Sequence, residues 1–151
     1  VPVAGDPGVL ARRYEEELRA HFRMRRLAAP VFDLILLGVG AHGHTASLFP
    51  DSPALEECLR WTAAVKGGQP EVWRVTLTYA VLNRARRVVF LACGASKAAV
   101  VRRVLTALPP DLPAQRVRPP AGRVTWVLDP AAAALLESAS GASASDEKPP
   151  Y

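Results

Sequence analysis

The 151-residue chain predicts an α/β fold: a mostly parallel sheet with flanking helices. Three observations carry that expectation. Short apolar runs alternate with amphipathic stretches, the order in which parallel strands and crossover helices follow one another. The run 34–37 opens directly into a turn with Gly38, Gly40 and Gly43, and a Ser/Thr/His cluster stands behind it. A second run, 88–92, likewise opens into Gly94 and Ser96 ahead of a helix-forming stretch. No internal repeat interrupts this order.

Taken from the N-terminus, residues 8–26 read as an amphipathic helix. Leu10, Tyr14, Leu18 and Phe22 recur every four positions, and Glu15 can pair with Arg19 across a turn. A strand over 32–37 follows, then the glycine turn, then a short helix beginning around His44. A strand near 59–65 leads into Lys66-Gly-Gly-Gln-Pro70, a clear turn, and residues 74–77 are again strand-like. The run 88–92 reads as a buried strand. Gly94 and Ser96 introduce a helix to about Leu108, with Val101, Val104, Leu105 and Leu108 inward. Residues 124–128 form the last strand, and Asp129 is a suitable N-cap for a helix reaching about Glu137. Beyond it, residues 138–151 turn to Ser, Gly, Asp, Glu, Lys and Pro, with only Ala and the final Tyr151 apolar, a composition that predicts a disordered tail to a 1–137 domain.

Composition narrows the functional classes. Half of the residues are hydrophobic, enough for a substantial core. No apolar run is long enough for a membrane-spanning helix, so no membrane partner is expected. The net charge of +5 comes from scattered arginine pairs such as Arg12-Arg13, Arg25-Arg26, Arg86-Arg87 and Arg102-Arg103. They make no basic stripe, which argues against a nucleic-acid partner and suits a solvated surface or a small anionic substrate. Cys58 and Cys93 suggest neither a disulfide framework nor a zinc site, and no metal is expected. No signal peptide is recognisable at Val1, and a cytoplasmic setting is expected.

The glycine turn concentrates the chemistry. Gly38-Val-Gly-Ala-His-Gly43 matches the spacing of a dinucleotide fingerprint, yet the acidic residue that should close the next strand is missing: Glu56 and Glu57 precede that strand and Lys66 ends it. Pro50 and Pro53 also break any long helix after the turn. The glycines instead suit close backbone approach and N–H groups facing an anion or an oxyanion. Within the turn, His42 and His44 each qualify as a general base by ordinary pKa, or as loop hydrogen-bonders.

Phe32-Asp-Leu-Ile-Leu-Leu-Gly-Val-Gly40 and Gly43-His-Thr-Ala-Ser-Leu-Phe-Pro50 resemble the 6-phosphogluconolactonase family, hydrolases of a phosphosugar lactone in the pentose phosphate pathway. Arg74-Val-Thr-Leu-Thr-Tyr-Ala-Val-Leu-Asn83, Arg87-Val-Val-Phe-Leu-Ala-Cys-Gly-Ala-Ser-Lys97, Leu112-Pro-Ala-Gln-Arg-Val-Arg118 and Val124-Thr-Trp-Val-Leu-Asp129 extend the likeness in the family's order. The related glucosamine-6-phosphate deaminases share the turn and the histidine but differ over Thr45-Ala-Ser-Leu-Phe-Pro50. Two departures stand out. Ala41 and His42 occupy positions where the family carries a proline and an aspartate, and the family's opening strands with their phosphate-binding loop have no counterpart.

The resemblance implies an open Rossmann-like sheet lacking its N-terminal strands, completed by that missing portion or by a partner chain. It also implies hydrolysis of 6-phospho-D-glucono-1,5-lactone to 6-phospho-D-gluconate without a cofactor. It casts His44 as the base that activates water, with Gly38, Gly40 and Gly43 lining the substrate site and Arg74 and Lys97 contacting the phosphorylated sugar lactone. His42, Thr45 and Ser47 stay open: His42 as a changed loop residue, Thr45 as a local cap, Ser47 as a helix-turn residue before a nucleophile. A degenerate non-catalytic member and an amino-sugar-phosphate deaminase are the alternatives.

Overall fold

The computed structural model describes residues 5–24 and 30–136. Expectations that fall on Arg25, Arg26, Glu137 and the 138–151 tail lie outside these residues. Helix α1 (Pro7–Met24) leads to β1 (Ile35–Gly38), then to a hairpin of β2 (Thr62–Gly67) and β3 (Val72–Leu77). A short α2 (Tyr79–Leu82), β4 (Arg87–Ala92), α3 (Ala98–Thr106), β5 (Arg123–Leu128) and α4 (Pro130–Ala133) complete the order. Strands β1, β4 and β5 form a parallel sheet in that order, with Ile35 opposite Val88 and Val88 opposite Val124. The expected α/β class is therefore present. The hairpin is a separate antiparallel pair beside this sheet, in keeping with a mostly parallel arrangement.

The period of two along each strand divides the parallel sheet into unlike faces. Ile35, Leu37, Val88, Phe90 and Ala92 point into the core with Val101 and Val104 of α3. Trp126 of β5 lies flat on Phe90, ring centroids 4.3 Å apart and planes 6° from parallel. The opposite face carries Leu36 at 60% exposure, Leu91 at 46% and Val127 at 51%, an apolar surface left in water.

Several expected details are corrected. No helix starts at His44: Thr45 bridges Leu48 in a tight turn, Ala46 has φ 51°, and a single 3-10 turn follows at Pro53–Leu55. The Thr45 hydroxyl, a natural helix cap, instead donates to Gly38 O at 2.9 Å. Helix α3 stops at Thr106, so Leu105 and Leu108 are exposed, and Val100 and Ala98 take the inward positions beside Val101 and Val104. On α1 the buried line includes Ala11, Glu15 and Phe22, while Tyr14 is exposed.

Glu15 explains that rotation. Its carboxylate accepts from Arg19 Nη2 at 2.7 Å, from Arg60 Nε at 2.8 Å and from the Trp61 backbone N–H at 3.2 Å. The expected pairing with Arg19 exists, but it is part of a buried anchor joining α1 to the start of the hairpin. Arg19 also stacks over the Trp61 ring, 4.3 Å from its centroid. Hydrophobic periodicity cannot foresee a charge on the inward face.

Candidate active site

Two glycine turns leave the carboxyl ends of adjacent parallel strands, the position at which open α/β sheets bind ligands. The first follows β1. Gly40 N–H donates to His44 O at 2.9 Å and Gly43 N–H to Gly40 O at 2.8 Å, which closes residues 40–44 into a compact loop. These two N–H groups are spent inside the loop, so it offers fewer free donors than its glycine content predicts. Gly43 has φ 75°, and a Cβ there would meet Leu112 side-chain atoms at 2.8 Å. It packs the loop on the core, with Gly43 O accepting from Ala114 N–H at 2.9 Å, and does not line the cavity at the end of β1.

Gly40 serves a different purpose. A Cβ built on it would stand 1.9 Å from His44 Cε1 and 2.2 Å from Nδ1. The imidazole therefore lies directly on the Gly40 backbone, and Phe49 meets the ring as well, centroids 4.6 Å apart and planes inclined 43°. His44 Nδ1 is buried and has no hydrogen-bond partner among the described residues. His44 as a whole is half-buried and lines two adjoining cavities.

The first cavity, about 410 Å³, is the size of a small-molecule cleft and is lined by Gly38, Gly40, His44, Thr45 and Lys97 with the end of β1. Lys97 Nζ donates to Val39 O at 2.9 Å, which fixes the ammonium beside the loop with donors to spare. A second cavity on the same loop is lined by His42, His44, Phe49, Gly68 and Gln69. No carboxylate lines either cavity. Burial holds the His44 pKa below its ordinary value, and positive charge on His42, Lys97 and Arg74 presses it in the same direction. Both influences favour the neutral imidazole, the form able to accept a proton.

The remaining expected site residues separate. Arg74 stands in β3 with Nε donating to Gly67 O at 3.2 Å, near enough to act on His44, but it does not line the Lys97 cavity. Ser47 is buried and its backbone N–H donates to Thr76 Oγ1 at 3.1 Å, a fold role. Thr45, 1% exposed, ties the loop to Gly38. Phe49, Gly67 and Leu112 were not anticipated as site residues. Their contribution is shape, which no local sequence pattern encodes, although Phe49 lies in the same motif as His44.

The second turn follows β4. Gly94 adopts φ 91° and ψ 153°, and its N–H is gripped by both carboxylate oxygens of Asp129 at 3.0 and 2.9 Å. Asp129 simultaneously caps α4 through Ala132 N–H at 2.7 Å, as expected of it.

The sequence pattern of the family described as glucosamine-6-phosphate isomerases/6-phosphogluconolactonase matches residues 1–126. Human 6-phosphogluconolactonase is 48% identical over 128 residues, covering 83% of this chain and 49% of the human protein. The chain thus spans about half the length of the curated relatives it matches. The structure of 6-phosphogluconolactonase from Trypanosoma cruzi superposes with TM-score 0.75 at 35% identity, covering 89% of this chain and 55% of that one. A monomeric glucosamine-6-phosphate deaminase shares the fold, with TM-score 0.67 over 87% of this chain and 56% of its own, at 24% identity. With its motifs, its fold and this extent of identity, the chain belongs to the glucosamine-6-phosphate isomerase/6-phosphogluconolactonase family.

Proposed function

We propose that this chain supplies the catalytic base of a 6-phosphogluconolactonase that hydrolyses 6-phospho-D-glucono-1,5-lactone to 6-phospho-D-gluconate. The observation that carries the reading is the half-buried His44, which lines the same cavity as Lys97 and whose Nδ1 is buried, leaving Nε2 as the nitrogen to accept the proton. Neutral Nε2 takes a proton from water as the water oxygen attacks the lactone C1 carbonyl. The tetrahedral oxyanion collapses, the C1–ring oxygen bond breaks, and the imidazolium returns its proton to the departing ring oxygen. The acid product ionises. No covalent nucleophile is required, and buried Ser47 is not one. Lys97 holds an anionic part of the substrate, so binding remote from C1 orients the ester for attack.

The other half of the site belongs, on this reading, to polypeptide seated against the bare face formed by Leu36, Leu91 and Val127. Full-length protein is the proper test material. It should hydrolyse the phosphorylated lactone well above the spontaneous rate and release no ammonia from an amino-sugar phosphate. Ammonia release would move the protein to the deaminase branch. A folded full-length protein with neither activity would make it a non-catalytic member, the reading that His42 in place of an aspartate favours.

A further inference from the structure

A general base is usually oriented through its second nitrogen, which donates to a carboxylate or a carbonyl. Among the described residues His44 has no such tether: Nδ1 is buried and unpartnered. Within these residues packing sets the ring's rotation, and the packing partners can be traced. On the loop side the ring rests on Gly40. Its aromatic neighbour Phe49 is in turn pressed onto the hairpin. A Cβ built on Gly67, the last residue of β2, would stand 2.6 Å from Phe49 Cδ2 and 2.8 Å from Cε2. Gly67 does not have a left-handed φ, so its backbone makes no demand for glycine. What the position requires is space for the Phe49 ring. Gly40, His44, Phe49 and Gly67 thus form a continuous stack from the catalytic loop to the hairpin tip, next to Gly68 and Gln69, which line the second cavity.

We propose that Phe49 and Gly67 are positioning residues: the hairpin fixes the His44 imidazole through the Phe49 ring, and neither residue touches substrate. The inference rests on His44 being the base. It makes Gly67, remote in sequence and outside the glycine turn, a determinant of the rate of proton transfer.

The experiment is a double-mutant cycle in the full-length protein with Gly67→Ala, Phe49→Leu and both together. Lactone hydrolysis and the NMR titration of His44 are followed in each. Alanine at 67 forces the Phe49 ring to shift and leucine at 49 removes it, so each single change should lower kcat about tenfold to a hundredfold with KM nearly unchanged, the scale of a misplaced reacting group. The losses should not multiply in the double variant, because leucine leaves room for the alanine methyl. The His44 titration should move upward in each variant as its packing loosens, while His42, Lys97 and Arg74, the charged groups that act on it, are unaltered. Multiplicative losses, or an unchanged His44 titration in both single variants, would overturn the coupling. If the wild-type protein hydrolyses no lactone, the functional reading fails, and the titration still decides whether Gly67 and Phe49 position the ring.

Discussion

The turns after β1 and β4 both depend on glycine, at neighbouring strand ends, for opposite reasons. Around Gly94 there is open space, nothing within 4 Å of a built Cβ, and the requirement is conformational: φ 91° with ψ 153° lies in a region essentially closed to other residues. At Gly40 φ is not left-handed, and the requirement is volume, because the His44 ring occupies the place of a side chain. One glycine shapes the backbone so that Asp129 can hold it. The other lets a side chain lie against the main chain. Equal sequence signals therefore conceal a turn shaped by its own backbone and a turn shaped by a neighbouring side chain.

The comparison can be broken in order of expected effect. In the full-length protein, His44→Ala should lower lactone hydrolysis by about 10²–10⁴-fold, the worth of a positioned general base, with little change in thermal unfolding. His42→Ala, in the same loop, should cost far less, and a larger loss there would transfer the role. Gly40→Ala should approach about 10²-fold in kcat, since the methyl displaces the imidazole from its bed; a near-normal rate would show that the ring adapts. The pH–rate profile should keep its acid limb below the ordinary histidine range, because burial and neighbouring cations lower the pKa, and activity falls only when His44 is protonated. An acid limb at or above pH 6.5 would contradict that environment. Lys97→Met should weaken the phosphorylated lactone about tenfold or more relative to the unphosphorylated one, as expected for losing a charge-assisted contact. Equal losses on both would assign Lys97 to the loop through Val39 O alone. Gly94→Ala should lower stability by about 1–3 kcal/mol through backbone strain and leave kcat near its starting value, measured by denaturant unfolding beside activity.

How much of this was legible depends on whether the signal was local. The strands β1, β4 and β5, the glycine turn and the Asp129 cap follow from apolar runs and side-chain chemistry within a few residues. The position of His44 in the loop after β1 was legible from its motif. The helix expected at His44 failed because Thr45, an attractive cap, returns its hydroxyl to Gly38 O. The α1 face was misjudged because its centre is a charge, and the Phe49–Gly67 contact joins segments that only the hairpin brings together. The convergence of Arg74 with Lys97 suffered likewise, since an antiparallel hairpin carries Arg74 beside Gly67 and not into the Lys97 cavity.

The Glu15 anchor sets an order of disassembly in acid. Burial raises its pKa, but hydrogen bonds from Arg60, Arg19 and the Trp61 backbone outweigh burial, and the carboxyl titrates below 4.5. With the folded value lowered, the stability it contributes is complete above pH 4.5 and vanishes as pH falls through that folded value. Among the described residues the interior of the parallel sheet is aliphatic and aromatic, and its acid-sensitive groups, Asp129 at Gly94 and His44, stand at its carboxyl edge and not between its layers. Acidification should thus unlatch α1 from the hairpin while the β1–β4–β5 slab still holds, so the molecule sheds its helical flank before it melts.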